Sequence, residues 1–198
     1  MASRIDIINL ALTRIGESRI EELDENSKAA DEARAVYDLL LDSELMANRW
    51  GFAQRRAALA ASATAPAWGY AYKYAIPADS LSVVYVDGQE PAALDDFRQD
   101  RFPTWQIEGR DIVTNLGAPL NILYVAKIES PDEWNAAFRV AFSFKLAEVL
   151  AVPIAGDTGI RDRMAQAYEI SIRDARQQSA IQSAPQYVAD STWLQVRG

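Results

Sequence analysis

Acidic side chains are the residues of this sequence most able to do chemistry. Neighbouring carboxylates occur at Glu21-Glu22, Asp24-Glu25 and Asp95-Asp96. Two carboxylates facing one another can act as acid and base in glycoside hydrolysis. All three pairs lie in polar stretches, a composition typical of solvated loops. We therefore interpret them as loop residues and keep a catalytic carboxylate pair as the alternative.

Two other acidic segments resemble the sequence motifs of known sites. Asp157-Thr158-Gly159 reads like an aspartic-protease triplet, but it stands where a helix is expected to begin, and aspartate is a preferred helix cap. Asp87-Gly88, followed by Glu90, lacks the spaced oxygen ligands of a calcium loop and predicts a tight turn. Both motifs are interpreted as structural.

The sequence contains no histidine and no cysteine. Ser–His and Cys–His catalysis, disulfides and most zinc sites are therefore excluded. The nine glycines are scattered singly, so no phosphate-binding loop is present. The sequence predicts no catalytic residue, no cofactor and no metal.

Two groups of residues could bind a ligand without reacting with it. Arg55-Arg56 and nearby Lys73 could contact phosphates. A strictly alternating aromatic row predicts a strand with four rings on one face, able to stack bases or sugars: Trp68, Tyr70, Tyr72 and Tyr74. We interpret the row as sheet packing or a contact between subunits.

The charge balance of the chain is acidic. With 28 acidic and 20 basic residues the formal charge is −8, which disfavours wrapping of nucleic acid, since such binding needs cations against phosphates. No apolar run approaches the ~20 residues that cross a bilayer, and Met1 to Asp6 lacks the apolar stretch of a signal peptide. We expect a soluble protein made in a cytoplasm-like setting, without a membrane partner.

Helices are predicted at both ends of the chain. Apolar residues recur every three or four positions in each of them, and caps or stop signals mark their limits. The predicted helices run from Ser3 to Gly16, from Ser27 to about Arg49, from a capping box at Ser130-Pro131-Asp132-Glu133 to Pro153, and from about Ile160 to Ile181.

Short strands are predicted between these helices. They are the aromatic row, Leu81–Val86 closing at the Asp87-Gly88 hairpin turn, a second hairpin of Trp105–Ile107 and Ile112–Thr114, and Leu120–Ala126. The order predicts an α+β fold. Its helical bundle comprises residues 1–52 and 130–184, an antiparallel β subdomain of residues 53–129 is inserted, and residues 185–198 form an extended C-terminal arm.

The arm carries large apolar side chains without periodicity: Tyr187, Val188, Trp193 and Leu194. Such side chains in a segment that cannot form its own core usually find a partner. We predict that they contact a neighbouring chain.

These segments resemble the head-to-tail adaptor family of short-tailed bacteriophages, the tail tubular protein A type. The similarity lies in Ile8–Leu12, Ile15–Glu17, Ile20, Leu23–Glu25, Ala29-Ala30, Trp50–Ala53, Arg56, Trp68–Tyr70, Tyr74, Ile76–Asp79, Trp105 and Glu108–Arg110. The motifs span about three quarters of the chain, and their order and spacing carry the resemblance.

The resemblance implies a structural subunit of the virion, assembled in the host cytoplasm. Twelve copies would form a ring that joins the portal protein to the tail nozzle protein and lets DNA pass without sequence recognition. Trp50 and Phe52, after the second helix, would lock the helices to the sheet. The charged outer sides of the second and last helices suit contact between copies.

Two function classes remain open at this stage. One is the structural adaptor, which needs contact surfaces and no reactive group. The other is a peptidoglycan hydrolase with a carboxylate pair, which could act without histidine or cysteine. One branch of the family is credited with cell-wall activity, but no catalytic motif in this sequence matches it. Two carboxylates lying ~5–10 Å apart in a concave pocket would favour the hydrolase.

Overall fold

The computed structural model describes residues 2–87 and 104–183. Within these residues helices and strands are both present, and the strands form small antiparallel sheets, so the predicted α+β class is confirmed. The elements are α1 (Arg4–Arg14), α2 (Lys28–Met46), β1 (Gln54–Leu59), β2 (Tyr72–Ala75), β3 (Ser80–Val86), β4 (Trp105–Glu108), β5 (Asp111–Thr114), β6 (Leu120–Ala126), α3 (Ala136–Leu150) and α4 (Thr158–Ser183).

The first two helices begin at the serines that the sequence indicates. The Ser3 hydroxyl accepts from the backbone N–H of Asp6 at 3.1 Å, and the Asp6 carboxylate accepts from Ser3 N–H at 2.8 Å, which completes a capping box. The Ser27 hydroxyl accepts from Ala30 N–H at 3.2 Å. Gly16 follows α1 at a φ of +83°, a conformation that ends helices and favours glycine. Both predicted helices are confirmed.

The strands of the predicted β subdomain form two sheets. β1, β6 and β3 make the first sheet in that order, and β2, β5 and β4 make the second. The predicted hairpin of β4 and β5 is confirmed, with Glu108 paired to Asp111 and Gly109 at a φ of +63° in the turn. β3 pairs with β6, and Asp87 closes it at a φ of +46°. Gly88 and Glu90 lie outside the described residues.

The predicted row of four rings on one strand face is wrong. β2 begins only at Tyr72, because Gly69 has a φ of +86° that no extended strand can accommodate. Trp68 is 76% exposed, whereas Tyr70 and Tyr74 are buried. The alternating spacing was correct for Tyr72 and Tyr74 alone.

The predicted start of the third helix at Ser130 is also wrong. Pro131–Glu133 forms one 3-10 turn, and the Ser130 side chain makes no capping hydrogen bond. Trp134 then leaves the helical conformation and buries its ring against Phe138, with a centroid distance of 5.3 Å. The side chain of Asn135 caps α3 instead, accepting from Phe138 N–H at 2.7 Å.

The helical conformation of the backbone does not end at Pro153. α3 ends at Leu150, and a π-helical turn, Ala151–Ala155, continues through the proline. Gly156, at a φ of +69°, ends this turn. α4 then begins at Thr158, two residues before the predicted start.

α3 holds the described fold together. It packs against α1, α2 and α4, and about half of its residues are buried: Phe138, Ala141, Phe142, Ser143, Leu146, Ala147 and Leu150. The same buried cluster continues into both sheets through Ile122 and Ile112. The helices and sheets therefore share a continuous apolar core.

Candidate functional site

The carboxylates before α2 accept hydrogen bonds that stabilise the loop that contains them. The Glu25 carboxylate accepts from the Ser27 hydroxyl at 2.6 Å and from Glu21 N–H at 2.9 Å. These hydrogen bonds, that of Ser27 above all, lower the pKa of Glu25. The Asp24 carboxylate accepts from Arg34 at 3.1 Å. Asp95 and Asp96 lie outside the described residues.

Asp157 caps α4, as the sequence predicts. Its carboxylate accepts from Gly159 N–H at 2.6 Å and from Ile160 N–H at 3.1 Å. Two otherwise unpaired donors of the first helical turn are satisfied in this way. The triplet therefore resembles the protease motif in sequence only.

The three cations proposed as phosphate contacts are separated. Arg55 and Arg56 are neighbours on β1, so their side chains leave opposite faces of the sheet. Arg55 forms an ion pair with Glu133 at 3.5 Å, and Lys73 forms one with Asp111 in the second sheet at 2.9 Å. The structure does not bring these cations together as a phosphate site.

A cleft of about 600 Å³ lies where the sheets meet the approach to α3. We call it the junction cleft. Its charged lining residues are three cations and three carboxylates: Arg55, Arg110, Lys127, Asp79, Glu129 and Glu133. These come from four separate connections or strands, so no sequence spacing could have indicated the set.

Most charged side chains of the junction cleft form hydrogen bonds or ion pairs that stabilise the fold. Arg110, in the β4–β5 turn, donates to the backbone carbonyls of Pro77 at 2.7 Å and of Ser80 at 3.2 Å, which ties the second sheet to the first. Lys127 pairs with Asp42 of α2 at 3.1 Å. The Tyr124 hydroxyl lies 3.3 Å from the Asp79 carboxylate.

The outer face of the first sheet forms a second and larger concavity, of about 800 Å³. Its lining is mainly apolar, with Arg56 and Asp87 at the margin. A smaller adjoining cavity shares Arg56 and Leu123 and also includes Gln182. The last described turn of α4 therefore lies beside this sheet face.

Two hydrogen bonds, one buried and one partly buried, attach α4 to the end of α2 and to the connection that follows it. The Tyr168 hydroxyl donates to the Glu44 carboxylate at 2.7 Å, and Gly51 N–H donates to the Ser179 hydroxyl at 3.1 Å. Burial, and then the bond to Glu44, raises the pKa of Tyr168. This pair was not among the predicted residues. Glu44 continues the apolar side of α2 that includes Tyr37 and Leu41, an unusual place for a carboxylate and the one sequence signal that could have indicated it.

Trp50 and Phe52 lie in the connection between α2 and β1. Trp50 is fully buried, and its ring N–H donates to the carbonyl of Glu44 at 2.8 Å. The ring centroid lies 4.8 Å from that of Phe138 on α3 and 6.0 Å from that of Phe52. Both aromatic rings thus contact α3 immediately before β1 begins.

Large apolar side chains remain exposed on the outer sides of α2 and α4. Leu39 is 75% and Met46 50% exposed on α2, and Ile170 is 63% and Ile181 68% exposed on α4. Residues seven or eleven positions apart lie within about 20° of each other around a helix. Each pair therefore lies along one exposed stripe of its helix, and on α4 the polar residues Asp174 and Gln177 stand between the two isoleucines.

Tyr187, Val188, Trp193 and Leu194 lie outside the described residues. Among residues 2–87 and 104–183, no three acidic side chains cluster as a metal site. No helix in those ranges is both long and apolar enough to span a bilayer.

Comparison of the chain with protein-family models and with curated proteins found no match.

Proposed function

We propose that this protein is a structural adaptor subunit that forms a ring between the portal and the tail nozzle of a short-tailed bacteriophage. The sequence motifs that resemble the adaptor family motivate the proposal. The observation that carries it is the pair of exposed stripes on α2 and α4, which present Leu39 and Met46 on one helix and Ile170 and Ile181 on the other. Contact surfaces of this kind are what a ring subunit needs.

The stripes are suited to contact because their helices are firmly held. α2 and α4 each bury one side against α3, and α4 is fixed further by its hydrogen bonds to Glu44 and Gly51. An exposed stripe on such a helix meets a partner without ordering the backbone first, which reduces the entropic cost of association.

The proposal gives each part of the chain a role. The helices of residues 1–52 and 130–184 act as a bundle that makes the ring, with residues 53–129 inserted as a β subdomain. Trp50 and Phe52 lock the bundle to the sheet. Residues 185–198 act as an extended arm, in which Tyr187, Val188, Trp193 and Leu194 contact a neighbouring chain in the virion.

The acidic balance of the chain suits a ring that DNA passes through. Each copy carries a formal charge of −8, and like charge along a channel repels phosphate rather than retaining it. Passage without adhesion or sequence recognition follows from this arrangement.

Electron microscopy of the purified chain mixed with purified portal rings tests the proposal. We expect a ring of twelve copies seated on one end of the portal. A folded chain that leaves the portal rings bare at micromolar concentration contradicts the adaptor function.

A peptidoglycan hydrolase is the second candidate, because the junction cleft collects Asp79, Glu129 and Glu133. The buried Ser80 hydroxyl, which lacks a hydrogen-bond partner within the described residues, lines the same cleft. Against this candidate, Glu133 is 55% exposed and paired with Arg55, whereas a glycosidase acid sits in apolar surroundings.

Incubation of the purified chain with peptidoglycan separates the two candidates. The adaptor account expects no released fragments from the wild-type protein. Release that is lost in Glu133→Gln or Asp79→Asn, but retained in the loop variant Glu22→Gln, would establish the hydrolase instead.

A further inference from the structure

We propose that the arm of one copy of this protein, residues 185–198, docks on the outer face of the first sheet in the next copy. This docking rests on the proposed function, because it names the surface that the arm contacts in the ring. The occupant of the sheet face is thus one segment of a second copy of the same chain.

The outer face of the first sheet combines small and large side chains around its concavity. Ala58 of β1 pairs with Asn121 of β6, and Arg56 pairs with Leu123. Leu123 in turn pairs with Tyr85 of β3. The concavity that these residues line measures about 800 Å³, and concavities of about 300–1,000 Å³ accept ligands larger than one side chain. The face therefore has room for an aromatic ring together with neighbouring side chains.

The helix α4 ends at the margin of this concavity. Its last residue is Ser183, and Gln182 lines the adjoining cavity, which shares Arg56 and Leu123 with the concavity. Pro185 follows two positions after the helix, and a proline disfavours helical conformation in the residue before it. The arm therefore begins beside the outer face of the first sheet.

The composition of the arm matches that of the sheet face. The arm has five large apolar side chains, one carboxylate and one guanidinium: Tyr187, Val188, Trp193, Leu194, Val196, Asp190 and Arg197. The margin of the concavity likewise has one cation, Arg56, and one carboxylate, Asp87. Neither of these two forms an ion pair within the described residues, so both can pair with the charges of the arm.

A second segment leaves the same margin but matches the face less well. Residues 88–103 follow Asp87 and carry four carboxylates and two arginines. Burial of so many charges on a mainly apolar face is costly. The arm, with one charge of each sign, is the better occupant.

The length of the arm favours the next copy over its own sheet. An extended chain advances about 3.3 Å per residue, so Trp193 can lie about 33 Å and Gly198 about 50 Å from Ser183. Only β6 separates β1 from β3, so the outer strands are about 10 Å apart. An extended arm therefore passes beyond its own sheet. A chain of this length folds to about 40 Å across, so the arm can reach the equivalent face of a neighbouring copy.

The arm and the sheet face are two different surfaces of the same chain. A contact between them is heterologous, and its repetition closes into a ring when the rotation between copies permits. Each copy then gives one arm and receives one. The docking therefore agrees with a ring.

Cysteine cross-linking on portal rings tests the docking, because the chain has no cysteine. Ala58→Cys places a thiol in the concavity, and Ser191→Cys places one in the arm. The double variant, assembled on portal rings and bridged with a flexible bis-maleimide, should give a ladder of covalent oligomers on a denaturing gel. An equal mixture of the two single variants should stop at the dimer. Ala35→Cys with Ser191→Cys moves the first thiol to an exposed site on α2 and is the matched control, which should give no ladder.

A further substitution tests whether the apolar side chains of the arm hold it in place. Trp193→Ala, added to the double variant, should reduce the yield of oligomers at least about fivefold, since a buried tryptophan often dominates an interface. Gln195→Ala, also in the arm, is the control and should leave the yield within about twofold. Equal yields from these two variants would contradict apolar docking of the arm.

The possible results separate the docking from the adaptor function. Assembly on portal rings without a ladder would overturn the docking and leave the adaptor function standing. A cross-linked species of monomer mass would show the arm on its own sheet and would also overturn it, as would an equal ladder from the control with Ala35→Cys. A ladder from the free chain at high concentration, without attachment to portal rings, would support the docking and contradict the adaptor function.

Discussion

At the scale of single residues, the pair of Glu44 and Tyr168 joins two helices that are distant in the sequence. Glu44 is only 6% exposed, and a carboxylate is costly to bury without hydrogen-bond donors. The Tyr168 hydroxyl supplies one at 2.7 Å across 124 positions of sequence. The bond thus links α2 to α4 in a place shielded from solvent.

Replacement of Tyr168 by phenylalanine should therefore destabilise the protein. The variant keeps the ring and leaves the Glu44 carboxylate buried without that donor, so we expect a loss of about 1–3 kcal/mol in the free energy of unfolding. Urea denaturation at neutral pH measures it. Tyr72→Phe, at a site 40% exposed, is the control and should change the free energy by less than about 0.5 kcal/mol.

The same tyrosine makes stability depend on alkaline pH. Burial raises the pKa of both Tyr168 and Tyr37 above the ordinary value of 10.0. The unfolded chain therefore loses these protons first, so their contribution is complete below about pH 10 and is lost as pH rises beyond it. Urea midpoints between pH 9 and 11.5 should fall with pH, and less steeply for Tyr168→Phe. Parallel curves for the two proteins would contradict this linkage.

At the scale of the elements, the connection through Trp50 determines how α2 passes into the first sheet. The buried ring contacts Phe138 of α3 and donates a hydrogen bond to the end of α2. Trp50→Ala leaves a cavity the size of the ring among these elements, and we expect a loss of about 3–5 kcal/mol. Thermal and urea denaturation measure it. Trp68→Ala removes a ring that is 76% exposed and should cost less than about 1 kcal/mol.

Local signals were sufficient to predict the elements whose limits depend on local hydrogen bonds. Ser3, Ser27 and Asp157 cap their helices as expected, and Gly109 makes the expected hairpin turn. The capping motif at Ser130 does not start α3, because the chain leaves the helical conformation at Trp134, whose ring is buried. The helix begins after Asn135 instead. The alternating aromatic pattern wrongly predicted a strand at Trp68, because such a pattern does not show that Gly69 has a positive φ.

The candidate sites were harder to predict because they depend on tertiary contacts. The junction cleft joins Asp79, Arg110 and Glu133 from distant connections, and only the folded chain brings them together. The exposed stripes were partly predictable, since the charged outer sides of the second and last helices are visible in the sequence. Leu39 and Ile170 within those sides were not, because an apolar residue alone does not reveal whether it faces the core.

At the scale of the whole molecule, the proposed arm can be separated from the folded part of the chain. The described helix α4 ends at Ser183, and the core residues identified within residues 2–87 and 104–183 extend to Ala175. Deletion of residues 185–198 should therefore change the melting temperature by less than about 2 °C while weakening attachment to portal rings. Trp193→Ala in the full chain is the matched variant and should weaken attachment in the same direction.

Calorimetry and a portal pull-down together measure these effects. Unfolding of the truncated chain would show that the tail belongs to the core. Attachment of the truncated chain to portal rings as strong as that of the full chain would show that the tail makes no contact with a partner, contrary to the prediction.

The mass of the complex between this chain and the portal tests the adaptor function most directly. Native mass spectrometry of portal rings mixed with excess chain should show an added mass of twelve times the 21.9-kDa chain, with partly filled complexes rare because lateral contacts make addition cooperative. Portal rings of unchanged mass, in the presence of a folded chain, would contradict the account.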